Sequence, residues 1–127
     1  MTLGTGTDIV SVPRVARLLA DHGARFVERW FTAEEIAYCS AKAQPSLHYA
    51  ARLAAKEAVY KSLNRAGSEP IPWRSIEIGH DRLGVPDVRL SGTLLEGADR
   101  AGIGRIRVSL SHCAEFATAV AIADEAG

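Results

Sequence analysis

The sequence predicts an α+β fold: a single domain over residues 1–127, with helices packed on a mostly antiparallel sheet and one long central helix. Three features predict it. The run Arg52–Lys61 (Arg-Leu-Ala-Ala-Lys-Glu-Ala-Val-Tyr-Lys) is rich in strong helix formers and contains neither Gly nor Pro. Residues 105–110 alternate between Ile106, Val108, Leu110 and Arg105, Arg107, Ser109, and an apolar run over 116–122 follows closely, as an antiparallel pair requires. Ser68–Pro72 reads as the connecting loop between a helical half and a half dominated by strands. A chain of 127 residues is long enough to bury one core.

In chain order, Leu3–Val10 reads as a strand entering the core, with Asp8 its only charge and glycines that permit close backbone approach. Ser11 caps a helix with Pro13 in its first turn, running to about His22 and stopped by Gly23, with Val15, Leu18 and Leu19 as its apolar stripe. Phe26, Trp30 and Phe31 supply core bulk. Thr32-Ala-Glu-Glu35 is a capping box, so a further helix begins at Ala33 and reaches about Lys42, where Pro45 breaks the pattern. Ser46 is the expected cap of the central helix, which runs to about Arg65 and ends before Gly67. Ile76–Ile78 and Val85–Leu90 read as two strands joined through His80–Gly84, with Pro86 near a strand start or on an edge. Ser91 caps a helix over about Thr93–Ala101, closed by Gly102, and a short turn around His112 joins the last two strands.

Fifteen basic and fifteen acidic residues cancel, which gives no support to nucleic-acid or membrane-surface binding and leaves charge to act locally. Cys39 and Cys113 fit no metal or redox spacing and are too few for a disulfide framework, so reduced, buried or half-buried thiols are expected. No basic region followed by an apolar one opens the chain, and no apolar run approaches the roughly 20 residues of a membrane span. The expected location is the cytoplasm.

Chemistry is concentrated on the central helix. Leu53, Glu57 and Lys61 lie four apart and stack on one face, with Arg52 and Lys56 in the adjacent row and Ala50, Ala54 and Ala58 as a smooth stripe. One carboxylate thus sits among three cations, a set able to offer a ligand to Mg²⁺ and cations to phosphate oxygens. The plain alternative is an exposed Glu57–Lys61 pair worth a few tenths of a kcal/mol. Asp8, a lone acid in an apolar strand, needs a pairing, a bound cation or a capping role at the strand's end. Arg14, Arg17 and Arg25 form a basic cluster, read either as solvated surface or as a dock for an acidic partner. Ser111 and His112 are adjacent and so point apart, which disfavours a nucleophilic dyad and leaves a turn histidine or a phosphate contact.

Three separated motifs, Gly-Thr-Asp8-Ile-Val, Arg52-x-x-x-Lys-Glu57-x-x-x-Lys61 and Ser109-Leu-Ser-His112, together resemble holo-acyl carrier protein synthase. This is the short, single-domain type of 4′-phosphopantetheinyl transferase. Supporting matches are Phe26-x-x-Arg-x-Phe-Thr32-x-x-Glu35, the Asp81-x-x-Gly84-x-Pro86 turn and the Ala117-x-Ala119-Val-Ala ending, so the likeness runs from about residue 4 to residue 123. The resemblance implies transfer of the phosphopantetheine arm of coenzyme A to a serine of apo acyl carrier protein, with release of adenosine 3′,5′-bisphosphate. It implies Mg²⁺ held by Asp8 and Glu57, and Lys61 at the pyrophosphate. Further phosphate contacts would come from Arg52, Lys56, Ser111 and His112, and Gly84 and Pro86 would reach a neighbouring subunit's nucleotide. The base for the serine proton is either Glu57 or a water on the metal. A homotrimer is implied, with Arg14, Arg17 and Arg25 on the helix that meets the carrier protein.

Departures from the family's pattern fall at Asn64 and Arg65, at Cys113 and at Leu53, and none touches Asp8, Glu57 or Lys61. Two other readings compete. A non-catalytic module that binds carrier protein would need neither metal acid. A different Mg²⁺-dependent nucleotide enzyme of the commonest kind would need a P-loop signature, which the sequence lacks.

Overall fold

The computed structural model describes residues 1–64 and 70–127. Its elements are β1 (Thr2–Ser11), α1 (Val12–His22), α2 (Ala24–Trp30), α3 (Ala33–Ser40), α4 (Pro45–Ser62), β2 (Ile76–His80), β3 (Pro86–Leu90), α5 (Gly92–Arg100), β4 (Ile103–His112) and β5 (Phe116–Glu125). The strands form an antiparallel three-stranded sheet in the order β1-β5-β4 and an antiparallel β2-β3 pair. The expected α+β class holds.

The seam between α4 and the larger sheet is built from small residues. Ala50, Ala54, Ala55 and Ala58 of α4 and Ala117, Ala119, Ala121 and Ala123 of β5 are almost fully buried. β1 comes closer still to α4. A Cβ added at Gly6 would be driven into the Ala58 carbonyl, and one at Gly4 into the Ser62 carbonyl. These two glycines are therefore needed for approach, and they bring β1, with Asp8, beside the C-terminal half of α4.

Several boundaries differ from expectation. Ser11 caps α1 as read, its Oγ accepting from the Arg14 N–H at 3.3 Å, and Gly23 at φ 50° ends it. Gly23 also opens α2, a seven-residue helix that the bulk of Phe26 and Trp30 did not disclose. α3 keeps its capping box but stops at Ser40 rather than Lys42. Pro45 starts α4 instead of only breaking α3, because the first turn of a helix has no use for its missing N–H. The cap is Gln44, and Ser46 lies inside the first turn. The helix proper ends at Ser62, where Asn64 takes φ 53° and its side-chain amide donates to the Leu3 carbonyl at 3.0 Å. The expected stop at Gly67 and the first part of the Ser68–Pro72 loop lie outside the described residues. α5 begins at Gly92, and Ser91 precedes it without a side-chain capping bond. β4 continues through His112, so the turn to β5 falls at 113–115, and β5 extends to Glu125. Cys39 is buried as expected, with burial pushing its thiol up to about 12, whereas Cys113 is exposed in that turn.

A buried ion pair ties α3, α4 and β2 together. Lys56, fully buried, meets Glu35 at 2.7 Å and donates to the Trp73 carbonyl at 3.0 Å and to the Ile76 carbonyl. Glu35 in turn accepts from the Thr32 N–H at 2.8 Å and from the Ile78 N–H at 2.9 Å. The capping-box acid is thus also the counter-ion of a core lysine. Burial lowers the lysine's pKa, and the Glu35 charge and hydrogen bond raise it back. Removing Lys56 alone strands a buried carboxylate. Lys56→Met is expected to cost about 3–5 kcal/mol in urea unfolding, and adding Glu35→Gln should recover part of that loss. A wild-type midpoint for Lys56→Met would refute this account.

Candidate active site

β1 and α4 bring two carboxylates together. Asp8 points inward from β1, opposite Ala119 in the register with β5. Its Oδ1 accepts from Lys61 Nζ at 3.1 Å, and the same ammonium donates to the Thr7 carbonyl at 3.0 Å. Asp8 Oδ2 is buried and has no hydrogen-bond partner. Glu57 stands one helical turn before Lys61. Its pKa is raised to about 8, first by burial and then by the neighbouring Asp8 carboxylate, against the pull of Lys61 and Arg14. A cleft of about 320 Å³ opens here, with Asp8, Arg14 and Glu57 as its polar wall and Val15, Leu18, Phe26, Trp30 and Leu53 as its apolar one. Trp30 is held by a stack on Trp73, centroids 4.9 Å apart.

Two crowded carboxylates, an orphaned buried oxygen and a proton affinity raised by burial and then by the neighbouring acid make a site that gains from a hard cation. Both oxygens suit Mg²⁺, which takes one or two protein carboxylates and completes its shell with water and substrate phosphates. The residues fit the ion.

The other two cations of the helix face elsewhere, which corrects the picture of one acid among three of them. Lys56 has spent its three N–H donors on Glu35 and two carbonyls, so it offers none to a phosphate. Arg52 is buried against α3 and β2, its guanidinium 4.1 Å from the centre of the Tyr38 ring. Its Nη2 lies 3.4 and 3.5 Å from the two ring nitrogens of His80. From Tyr38 an aromatic row leads outward, His48 at 6.0 Å and then His112 at 6.4 Å from His48. Burial, followed by the charges of Arg52 and Lys42, lowers the pKa of both His48 and His80. Ser111 and His112 are exposed at the end of β4, and the Thr118 hydroxyl donates to the Ser111 carbonyl at 3.4 Å.

Gly84 and Pro86 do not border the Asp8–Glu57 cleft within the chain. Gly84, at φ 82°, belongs to the exposed β2–β3 turn, which Asp81 builds by accepting from the Leu83 and Val85 amides at 2.8 and 3.0 Å, and half-buried Pro86 opens β3 opposite His80. Arg14, Arg17 and Arg25 are exposed, but Arg14 alone also faces Glu57. Sequence reasoning missed Tyr38, His48 and His80. Their signal is weak, because an aromatic and two imidazole side chains on three different elements share no motif.

Fold and site together define a small enzyme with a carboxylate pair suited to a divalent cation and a lysine beside it. Residues 4–121 match the family model described as the 4′-phosphopantetheinyl transferase superfamily. A holo-[acyl-carrier-protein] synthase of Geobacter sulfurreducens is 41% identical over 122 residues, covering 96% of this chain and 97% of its own. The crystal structure of the synthase of that name from Neisseria meningitidis superposes with a TM-score of 0.88 at 34% identity, covering 98% of this chain and all of the other. The Helicobacter pylori synthase, solved in complex with coenzyme A, gives a TM-score of 0.81 at 31% identity over 94% of this chain and 99% of its own. The chain belongs to the 4′-phosphopantetheinyl transferase superfamily and is an enzyme of the holo-[acyl-carrier-protein] synthase type.

The raised proton affinity of Glu57 has a measurable sign. Between its ordinary value of 4.5 and its folded value of about 8, the cation-free folded chain holds a proton that the unfolded chain has released. Stability in chelator should therefore fall as pH rises through that window and flatten above it. Melting temperatures across the window should fall more steeply for the wild type than for Glu57→Gln. Parallel curves would show that Glu57 is not crowded by Asp8.

Proposed function

We propose that this chain transfers the 4′-phosphopantetheine group of coenzyme A to the hydroxyl of a serine in apo acyl carrier protein, releasing adenosine 3′,5′-bisphosphate, in an Mg²⁺-dependent reaction in the cytoplasm. The observation that carries the reading is the Asp8–Glu57 pair beside Lys61, in the cleft between β1, α1 and α4. Asp8 and Glu57 would hold the ion, which when bound supplies positive charge to the pyrophosphate. The serine oxygen forms a bond to the phosphorus bearing the pantetheine arm, and the pyrophosphate P–O bond to the nucleotide breaks. Glu57, a carboxylate with raised proton affinity, suits the role of acceptor for the serine proton. Lys61, half exposed and tied only to Asp8 and a carbonyl, is free to swing its ammonium to the pyrophosphate and neutralise the departing bisphosphate. Arg52, His112 and Ser111 are proposed as further phosphate contacts, with positioning and charge supplying most of the acceleration. The binding-only alternative has no use for a buried acid with an unpartnered oxygen.

Arg14, Arg17 and Arg25 suit docking of an acidic carrier protein. Incubation of apo acyl carrier protein with this chain, coenzyme A and Mg²⁺ should add one phosphopantetheine mass, read by intact-mass spectrometry. The gain should vanish without metal or with Glu57→Ala, and its persistence in both would sink the assignment. In the same assay Arg17→Glu/Arg25→Glu should weaken carrier-protein use about tenfold or more while leaving that of coenzyme A unchanged. Arg14 is left out of that pair because it also faces Glu57.

Assembly as a homotrimer is also proposed. The outer face of the larger sheet leaves Ile9, Phe116 and Val120 about half exposed, with Leu3 and Ile122 beside them. Copies of this chain would cover that face through heterologous contacts that close after three, letting the β2–β3 turn with Gly84 and Pro86 reach a neighbour's nucleotide. Sedimentation equilibrium should give the mass of three chains, and Val120→Asp should release smaller species. A monomer with full activity would rule the assembly out.

A further inference from the structure

Arg52 is an unusual buried cation. It is only 4% exposed, no carboxylate among the described residues forms an ion pair with it, and its Nε is buried without a hydrogen-bond partner. Of the three acids around the same cleft, Glu35 is bound to Lys56, Glu77 accepts from the Thr32 hydroxyl at 3.1 Å, and Glu34 is exposed and forms no ion pair with Arg52. What fixes Arg52 is a ring. Its guanidinium carbon lies 4.1 Å from the centre of Tyr38, while Nη2 reaches His80. Lys42 sits over the same ring at 4.4 Å. A stack on an aromatic face holds the guanidinium plane and leaves its in-plane N–H groups available, and such a planar fork suits a phosphate oxygen pair. A cleft of about 360 Å³ gives access; Tyr38, Arg52 and His80 share its walls with Glu34, Glu35 and Glu77, so a phosphate would have to enter on the Arg52 and His80 side.

We propose that Tyr38 is a positioning residue: its ring holds the buried Arg52 guanidinium in the orientation that receives a phosphate group of coenzyme A. The assignment rests on the proposed use of coenzyme A and on Arg52 as a phosphate contact. Tyr38 itself touches no substrate. Its phenol is dispensable and its π face is not, so Tyr38→Phe should behave as the wild type, whereas Tyr38→Leu, which keeps bulk, should not.

The test is a double-mutant cycle on the full chain, with KM for coenzyme A, kcat and calorimetric Kd as readouts. Tyr38→Leu should raise KM and Kd about five- to tenfold with kcat within about twofold, as loss of a desolvated cation–π contact would. Arg52→Ala should raise them at least as much, and adding Tyr38→Leu to it should change nothing further, since one residue acts through the other. A thermal melt of each variant reports folding. If Arg52→Ala leaves coenzyme A binding unchanged, the phosphate role of Arg52 fails and the positioning role fails with it. If Arg52→Ala weakens binding but Tyr38→Leu does not, or the two effects add, the phosphate contact stands and the positioning role is overturned. Loss in Tyr38→Phe equal to that in Tyr38→Leu would overturn it as well.

Discussion

The distance between β1 and α4 is the constraint on which the site depends. Carboxylates on different elements repel, and nothing local in the chain would bring Asp8 toward Glu57. Tertiary packing does so, because Gly4 and Gly6 present no side chain to the helix backbone and because the facing residues of α4 and β5 are alanines. The apolar contact made by this seam opposes the electrostatic cost of crowding two acids. Lys61 offsets only part of that cost, since it reaches one oxygen of Asp8 and leaves the other without a partner. The unfavourable remainder is a property of the native fold, and a divalent ion would relieve it.

The second organising feature is the division of charge across α4. Residues four apart form rows along a helix, and neighbouring rows point about a hundred degrees apart, so one helix can serve two environments. One row gives Glu57 and Lys61 to the cleft with Asp8. The next gives Arg52 and Lys56 to the opposite flank, where Lys56 becomes an internal tie to Glu35 and Arg52 lies against Tyr38. A motif that reads as one cationic cluster in the chain is three separate electrostatic situations in space.

That division explains what was legible beforehand. The central helix, the capping box at Thr32 and Glu35, the Ser11 cap and the antiparallel β4–β5 pair were readable because each is a local pattern of period or cap. The helix α2 was hidden because it is short and follows a glycine. Pro45 was read as a terminator when it was an opener, a choice that local sequence leaves open. The pairing of Asp8 with Glu57 was reached through resemblance, since no periodicity links positions so far apart. The interior role of Lys56 could not be read from its row at all: which row of a helix meets water depends on partners such as β2, whose strand lies beyond the connecting loop.

The alanine seam has a consequence for how this enzyme can vary. A methyl group has no rotamer, so the helix–sheet spacing is set by backbone contact alone and cannot be retuned by repacking. Enlarging any of these alanines would wedge the helix off the sheet and part the acids at its far end. Evolutionary freedom is therefore displaced to the rims, to the exposed residues of α1 and of the β2–β3 turn, which can drift while the geometry at the acids stays fixed.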